Sequence, residues 1–162
     1  MTKRNILVIA VHADDETLGC GGTLVKAKKE EDHNIHWLIL TKTDPRMKDC
    51  VEQVQKLYEF TTVHQLGFDA AKLDTVPRVD LINAIGKVFN DIQPDTVFLP
   101  FYGDVHSDHR VAFEAAYPCT KPFRYPFVNC VCMMEILSET DFAPALQINA
   151  FTPNFFVDIT LI

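Results

Sequence analysis

Apolar residues along the chain fall into two alternating patterns. Short, continuously apolar runs are typical of strands that are buried on both faces of a sheet. We predict such strands at residues 5–11, 35–41, 61–67, 96–100, near 128–136 and at 155–162. Between them, apolar residues recur every three or four positions, which is typical of helices that cover a sheet. We predict these helices at residues 17–32, after Pro45, at 77–92 and at 109–117.

This alternation of strand and helix predicts an α/β chain with a Rossmann-like three-layer fold, in which a mostly parallel sheet has helices on both faces. The sequence contains no internal repeat, low-complexity tract or linker, so we expect residues 1–162 to form a single domain. With the common strand order 3-2-1-4-5, the first and fourth strands are neighbours where the order reverses. Such sheets bind their ligands at that reversal, beyond the carboxyl ends of the strands.

The two loops at the predicted reversal are rich in residues that bind metal ions. Residues 12–16 read HADDE after the first strand, and residues 104–109 read DVHSDH after the fourth. Three of the six histidines of the chain lie in these two segments. Imidazole and carboxylate groups are preferred ligands of a catalytic zinc, which takes three ligands from the protein. The two loops together therefore predict a metal site.

Each acidic residue of the first loop also has a purely structural interpretation. An aspartate before a helix is commonly an N-cap. Asp15 and Glu16 could simply interact favourably with the dipole of the helix that follows. Capping alone does not explain why two clusters of histidine and carboxylate residues lie at the same edge of the predicted sheet.

The glycines at 19, 21 and 22 raise the alternative of a dinucleotide-binding loop. That motif requires GxGxxG directly after a strand, but Leu24 occupies the position of its last glycine. The acidic residues just before the glycines would also repel a phosphate group. We expect instead that the glycines let the first helix pack closely against the sheet.

The composition of the chain argues against some classes of binding partner and indicates a cellular compartment. The chain has 15 Lys and Arg against 22 Asp and Glu, a net charge of −7, which argues against a binder of nucleic acid or of anionic membranes. No apolar run approaches the ~18 residues of a membrane span, and the first residues do not resemble a signal peptide. The five cysteines are odd in number and include no CxxC pair, so we expect reduced thiols and a cytoplasmic protein.

Two motifs resemble those of a known family. Residues 11–22, VHADDETLGCGG, are similar to the first motif of the PIG-L/LmbE-like family of zinc-dependent N-deacetylases, A/P-H-P-D-D-E followed by a glycine-rich start of a helix. Residues 106–109, HSDH, resemble the H-x-D-H motif of the same family. The resemblance continues through residues 65–69, 93–95 and 153–159, and so covers essentially the whole chain. One departure is Ala13, where the family usually has proline.

The resemblance implies a Zn²⁺ cofactor and a catalytic role for several residues. His12, Asp15 and His109 would be the zinc ligands. Asp14 would be the general base that takes a proton from the attacking water. His106, in its protonated form, would stabilise the oxyanion that develops on the amide carbonyl.

The remaining expected site residues support these groups or contact the substrate. Asp108 would orient the ring of His106. Arg46, after the second strand, and Asp104 are candidates for contacts with the substrate. A supporting or capping role is the alternative for Asp104, and it is the expected role for Glu16. The implied substrate is a small N-acetylated sugar or glycoconjugate of the N-acetylglucosamine type, and the implied reaction is hydrolysis of its amide.

Three alternatives to this activity remain open. A metal-dependent phosphoesterase would usually need two metal ions bridged by carboxylates. A nucleotide-binding module would have no chemistry of its own. A homologue that binds metal without turnover is the third, because family members usually continue beyond the segment that matches residues 155–159. A homo-oligomer is compatible with the resemblance.

Overall fold

The computed structural model describes residues 3–144, 146 and 150–160. Its strands are β1 Asn5–Ala10, β2 Asn34–Thr41, β3 Thr62–Phe68, β4 Thr96–Pro100 and β5 Cys130–Met134. Its α-helices are α1 Asp15–Lys29, α2 Lys48–Tyr58, α3 Arg78–Ile92, α4 Ser107–Ala116 and the single turn α5 Leu137–Thr140. Short 3₁₀ turns lie at Pro45–Met47, Leu73–Thr75 and Tyr117–Thr120.

The five strands form one parallel sheet in the order β3-β2-β1-β4-β5. This confirms the predicted α/β class and the predicted strand order. β1 pairs with β2 on one side and with β4 on the other, so the order reverses between β1 and β4. The loops that follow these two strands therefore emerge side by side.

A layer of helices covers each face of the sheet. On one face, α3 and α4 bury residues such as Ile85, Phe89 and Ala115 against the strands. On the other face, α1 and α2 bury Leu24 and Tyr58. Leucine and β-branched residues of the central strands contribute to both apolar clusters, as expected for strands covered on both faces.

Residues 19–22 allow α1 to pack closely against its neighbours. A Cβ atom added to Gly19 would lie 2.9 Å from the Cβ of Met134 on β5. One added to Gly21 would lie 2.6 Å from the Tyr58 hydroxyl on α2. The helix is interrupted between these glycines, where Cys20 has φ −147°. The close approach at Gly19 confirms the packing role that the sequence predicted.

The strand predicted at residues 155–162 is wrong for the part that the structure describes. Residues 155–160 form no strand, and residues 161 and 162 lie outside the described residues. Ile159 packs against Gly22, and Lys26 Nζ donates to the carbonyl oxygen of Asp158. The segment therefore lies along α1 instead of pairing with a sheet edge, and its Phe155 and Phe156 are exposed.

The observed bounds of α1 and α4 differ from the predicted ones by one to three residues. α1 begins at Asp15 and α4 at Ser107, each two residues before the predicted start. Their N-cap residues are Asp14 and His106, so both metal-type motifs lie at the beginnings of helices. Among the described residues, no helix is both long and apolar enough to cross a membrane.

Candidate metal centre

The turn between β1 and α1 presents Asp15 at the edge of the sheet. Asp15 Oδ2 accepts hydrogen bonds from the backbone N–H groups of Val11, at 2.7 Å, and His12, at 2.9 Å. These bonds close the turn and fix the carboxylate, which is 3% exposed. The turn folds this way because buried backbone N–H groups need acceptors, and the Asp15 carboxylate supplies one for Val11 and His12.

The opposite wall of the site is His109, on the first turn of α4. Its Nδ1 is hydrogen-bonded to Asp104 Oδ2 at 2.9 Å, and the other oxygen of Asp104 accepts from the Thr140 hydroxyl at 2.7 Å. His109 and Asp104 are both fully buried. With Asp104 as the acceptor, Nδ1 carries the proton and Nε2 has its lone pair free, which is the tautomer that binds a metal.

His12, Asp15 and His109 come together as a three-ligand cluster. Their ligand atoms all lie within 4.8 Å of one another. His109 Nε2 lies 3.5 Å from Asp15 Oδ2, and it is a buried nitrogen without a hydrogen-bond partner among the described residues. Buried polar atoms are normally satisfied, so this nitrogen indicates a position for an electrophilic partner. Two imidazoles and one carboxylate fit a divalent cation such as zinc.

Burial and the charges of the neighbouring groups shift the pKa of all three members of the cluster. Burial lowers the pKa of His12. Burial raises the pKa of Asp15, against the opposing charge of His109. Burial opposes protonation of His109, but its hydrogen bond to Asp104 and the Asp15 charge outweigh that effect, so the pKa of His109 is raised. A cation bound here would replace a proton that the cluster otherwise tends to keep.

His106 lies beside the cluster, and its ring is held by the backbone of α4. Its Nδ1 accepts from the backbone N–H of Asp108 at 3.1 Å, and its ring centre is 4.7 Å from that of His12. Since Nδ1 is an acceptor, the ring proton lies on Nε2. His106 thus presents Nε2 as a hydrogen-bond donor, and the group of Asp108 that orients its ring is the backbone N–H.

The Asp108 carboxylate was expected to orient His106, but its hydrogen bonds are with the backbone of the loop that follows β3. It is fully buried and accepts from the backbone N–H groups of Ala71, at 2.6 Å, and Leu73, at 3.1 Å. One of its oxygens lies 3.7 Å from His12 Nε2. Asp108 therefore ties the loop between β3 and α3 to the histidine cluster. The sequence carried no signal for this contact, because its donors are backbone groups of a loop distant in sequence.

A second set of possible ligands overlaps the first. His12, His106 and Asp108 also place ligand atoms within 4.8 Å of one another. Both sets need His12, and the first set alone contains the buried, unpartnered nitrogen of His109. The two sets therefore describe one candidate position for a cation, with His106 and Asp108 at its side.

Asp14 is exposed, and its side chain does not cap the helix that follows it. It is the N-cap residue of α1, yet its side chain makes no capping hydrogen bond. Its backbone carbonyl, in contrast, accepts from Thr17 and Leu18. The structural interpretation of Asp14 as a side-chain cap is therefore wrong, and its carboxylate is available to a ligand.

Glu16 is the most unusual acidic residue next to the cluster. It is fully buried, one oxygen accepts from the Thr17 hydroxyl at 2.6 Å, and the other has no partner among the described residues. Burial raises the pKa of Glu16 to about 7. The sequence indicated a supporting or capping role, or a favourable interaction with the helix dipole, for this residue, but not its burial.

The two residues expected to contact the substrate, Asp104 and Arg46, have other partners in the structure. Asp104 is fully buried, and its two oxygens bind His109 and Thr140, so the geometry favours the supporting role expected for it over a contact with the substrate. The Arg46 side chain is 89% exposed, and in the described part of the chain its polar contacts are with Asp44. The structure does not bring Arg46 into the metal cluster.

Fold and cluster together define an α/β protein with a histidine- and carboxylate-lined centre at the reversal of strand order. Residues 7–120 match the model of the PIG-L family, which is described as GlcNAc-PI de-N-acetylase. The match covers most of the chain, so the chain belongs to this family. The resemblance that the two motifs indicated is confirmed.

Solved structures with the same fold include proteins of different activity. The conserved protein TT1542 from Thermus thermophilus is 28% identical, with a TM-score of 0.69 over 81% of this chain and 66% of that protein. The N,N′-diacetylchitobiose deacetylase from Pyrococcus horikoshii is 19% identical, with a TM-score of 0.72 over 97% of this chain and 64% of the enzyme. The 4-carboxy-2-hydroxymuconate hydratase GalB from Pseudomonas putida is 19% identical, with a TM-score of 0.56 over 72% and 55%. The last two likenesses show the fold alone, and the chain spans about two thirds of the length of the first two proteins.

Proposed function

We propose that the protein is a zinc-dependent N-deacetylase that hydrolyses the acetamide of a small N-acetylated sugar or glycoconjugate of the N-acetylglucosamine type. The observation that carries this proposal is the buried, unpartnered Nε2 of His109, which faces His12 and Asp15 in a chain of the PIG-L family. The description of the family supports the acetamide as the bond that is cleaved.

His12, Asp15 and His109 would hold the cation. Three nitrogen and oxygen ligands leave a position open, as in catalytic zinc sites. When bound, zinc supplies a Lewis acid and acidifies water in its neighbourhood. Asp104 and Thr140 orient His109 for this task, and the two backbone N–H donors orient Asp15.

Asp14 would move the proton of the reaction. Its carboxylate is exposed and uncapped, so it accepts a proton from the attacking water and delivers that proton to the leaving nitrogen. His106 would donate from Nε2 to the carbonyl oxygen as negative charge develops there. The hydrogen bond from the Asp108 backbone to Nδ1 keeps that donor in place. The products are acetate and a free amine.

A phosphoesterase with two metal ions is disfavoured by the ligand count. Among the described residues, the two candidate ligand sets share His12, so they do not provide two separate positions.

The free cysteines of the described chain support the reducing, cytoplasmic compartment that we propose for the protein.

The test is metal content measured together with amine release. We expect one zinc per chain and release of amine from an N-acetylated sugar in a panel that contains N-acetylglucosamine, N,N′-diacetylchitobiose and an aryl N-acetylglucosaminide. Removing zinc with a chelator should abolish release, and adding zinc should restore it. Two tightly bound ions per chain, or amine release that persists without metal, would refute the proposal.

A further inference from the structure

Sulfur atoms line one face of the edge strand β5. Cys130, Cys132 and Met134 alternate along the strand, so their side chains share the face that packs toward α1. Cys20 of α1 belongs to the same apolar cluster as Cys132 and Met134. None of these residues belongs to the proposed metal centre or takes part in the proposed reaction.

The two strand cysteines are close but are not arranged for a disulfide. Their Sγ atoms are 3.7 Å apart. β5 pairs with β4 in unbroken register from Cys130 to Met134, so the strand is regular. Residues two apart in a regular strand have Cα atoms about 6.4–6.8 Å apart with parallel side chains, at the upper limit for a disulfide bond. Closing an S–S bond would therefore bend the strand.

The same separation fits a metal ion. Two sulfurs bound at about 2.3 Å with a near-tetrahedral angle lie about 3.7–3.8 Å apart, taking the zinc–thiolate bond length as a guide. Thiolate and thioether ligands together select soft cations such as Cu(I) over harder ions. The nitrogen and oxygen ligands of the His12 cluster have the opposite preference.

The sulfur atoms can be reached from solvent. A cavity of about 810 Å³ is lined by Cys20, Cys130, Cys132 and Met134, with residues 151–157 and Ile159 along its outer side. The residues that line this cavity do not include His12, Asp15 or His109. Cys130 is exposed and Cys132 is half-buried, so an ion can enter without unfolding the strand.

We propose that Cys130 and Cys132 form a binding site for a soft monovalent copper ion, with Met134 and Cys20, which line the same cavity, as candidate additional sulfur donors. Two S–H groups each lose a proton and two Cu–S bonds form, with no change in oxidation state. The complex carries one net negative charge, and the two protons are released to solvent. The site is independent of the deacetylase activity proposed above.

The test is titration of the purified, reduced chain with Cu(I) under nitrogen in competition with bathocuproine disulfonate. We expect one Cu(I) per chain. Cys130→Ser and the Cys130→Ser/Cys132→Ser variant should each lose more than about 100-fold in affinity, beyond the usual effect of an outer-shell partner. Cys50→Ser, which alters an exposed cysteine on α2, is the matched control and should bind as the parent does.

Three outcomes would overturn the proposal. One is unchanged Cu(I) affinity in the double variant, with a native circular dichroism spectrum. Another is loss of Cu(I) binding in His109→Ala but not in the double variant, which would place the ion in the histidine cluster. The third is complete formation of a Cys130–Cys132 disulfide in air, seen as a mass loss of two hydrogens, which would make the pair an oxidation site instead.

Discussion

Thr140 orients a proposed metal ligand from a distant part of the sequence. Its hydroxyl donates to Asp104 Oδ1 and accepts from the backbone N–H of Ile136, so it fixes the carboxylate that holds His109. Such contacts of a ligand with its supporting groups determine both its tautomer and its direction. The single turn α5 therefore contributes to the centre although no ligand lies on it.

Replacing Thr140 by valine should weaken metal binding while preserving shape. The variant keeps the β-branched volume but leaves an oxygen of buried Asp104 without its donor. We expect zinc affinity to fall by about 10- to 100-fold, measured by competition with a chromophoric chelator. Thr140→Ser restores the hydroxyl and should bind zinc nearly as the parent does. Equal affinity in the valine variant would mean that Asp104 needs no second partner.

Replacing Asp14 by asparagine should separate chemistry from metal binding. The side chain makes no capping hydrogen bond, so stability and zinc content should be unchanged. Turnover should fall by about 10²- to 10⁴-fold, the usual contribution of a general base. Amine release and zinc content are measured on the same preparation. Full activity in Asp14→Asn would show that another group moves the proton.

Glu16 should make stability depend on pH near neutrality. Burial raises the pKa of its carboxyl from an ordinary 4.5 to about 7 in the folded protein. Between these values the folded chain keeps a proton that the unfolded chain releases, so stability falls as pH rises through this window and levels off above it. The loss is on the order of 3 kcal/mol.

Glu16→Gln is the variant that isolates this contribution. It keeps the side-chain shape and removes the titration, so it should lose less stability than the parent between about pH 5 and pH 8. Urea unfolding with a chelator present measures the difference without a contribution from bound metal. Parallel pH curves for the two proteins would contradict the assignment to Glu16.

Among the elements, α1 is limited by how closely it approaches β5. Gly19→Ala would place a Cβ 2.9 Å from Met134 Cβ and 3.1 Å from Ile136 Cγ1. These atoms lie near the backbone and move only with it, so overpacking should cost about 1–3 kcal/mol. Urea unfolding measures the change. Lys29→Ala, at the exposed end of the same helix, is the control and should change stability little.

The pattern of apolar residues correctly predicted the strands that helices cover on both faces, but it failed for residues 155–160, which form no strand. β1 and β4 are continuously apolar because helices cover both sides, and their bounds were predicted to within one residue. Residues 155–160 are also largely apolar, but Phe155 and Phe156 are exposed and the segment follows α1. An apolar run does not reveal whether a free sheet edge is available to it.

The parts of the site that depend on the strand order could be predicted from the sequence. The hydrogen bonds that hold its supporting carboxylates could not. The reversal of strand order, inferred from alternating patterns, placed His12 beside His109 from the sequence alone. The partners of Asp108 and Asp104 were not predictable, because they are the N–H groups of Ala71 and Leu73 and the hydroxyl of Thr140. Sequence spacing has no signal for such contacts.

For the whole molecule, a bound cation should raise the free energy of unfolding. Zinc binds the folded chain, in which three ligands from two loops converge, and the unfolded chain lacks that arrangement. At a free concentration about 100 times its Kd, zinc should stabilise the protein by ~2.7 kcal/mol. Thermal unfolding with and without zinc should show this shift in the parent and in His64→Ala, and His109→Ala should not show it. A full shift in His109→Ala would place the ion elsewhere.

The Asp108 carboxylate has a consequence for how the loop between β3 and α3 can be observed. Ala71 has φ +57°, a left-handed conformation that costs an alanine free energy, and its amide is bound to Asp108. The two hydrogen bonds from the Ala71 and Leu73 amides to Asp108 help to hold the loop in this shape. Any event that draws Asp108 toward His12 frees those amides, so their hydrogen-exchange rates report on the state of the histidine cluster from the backbone of a neighbouring loop.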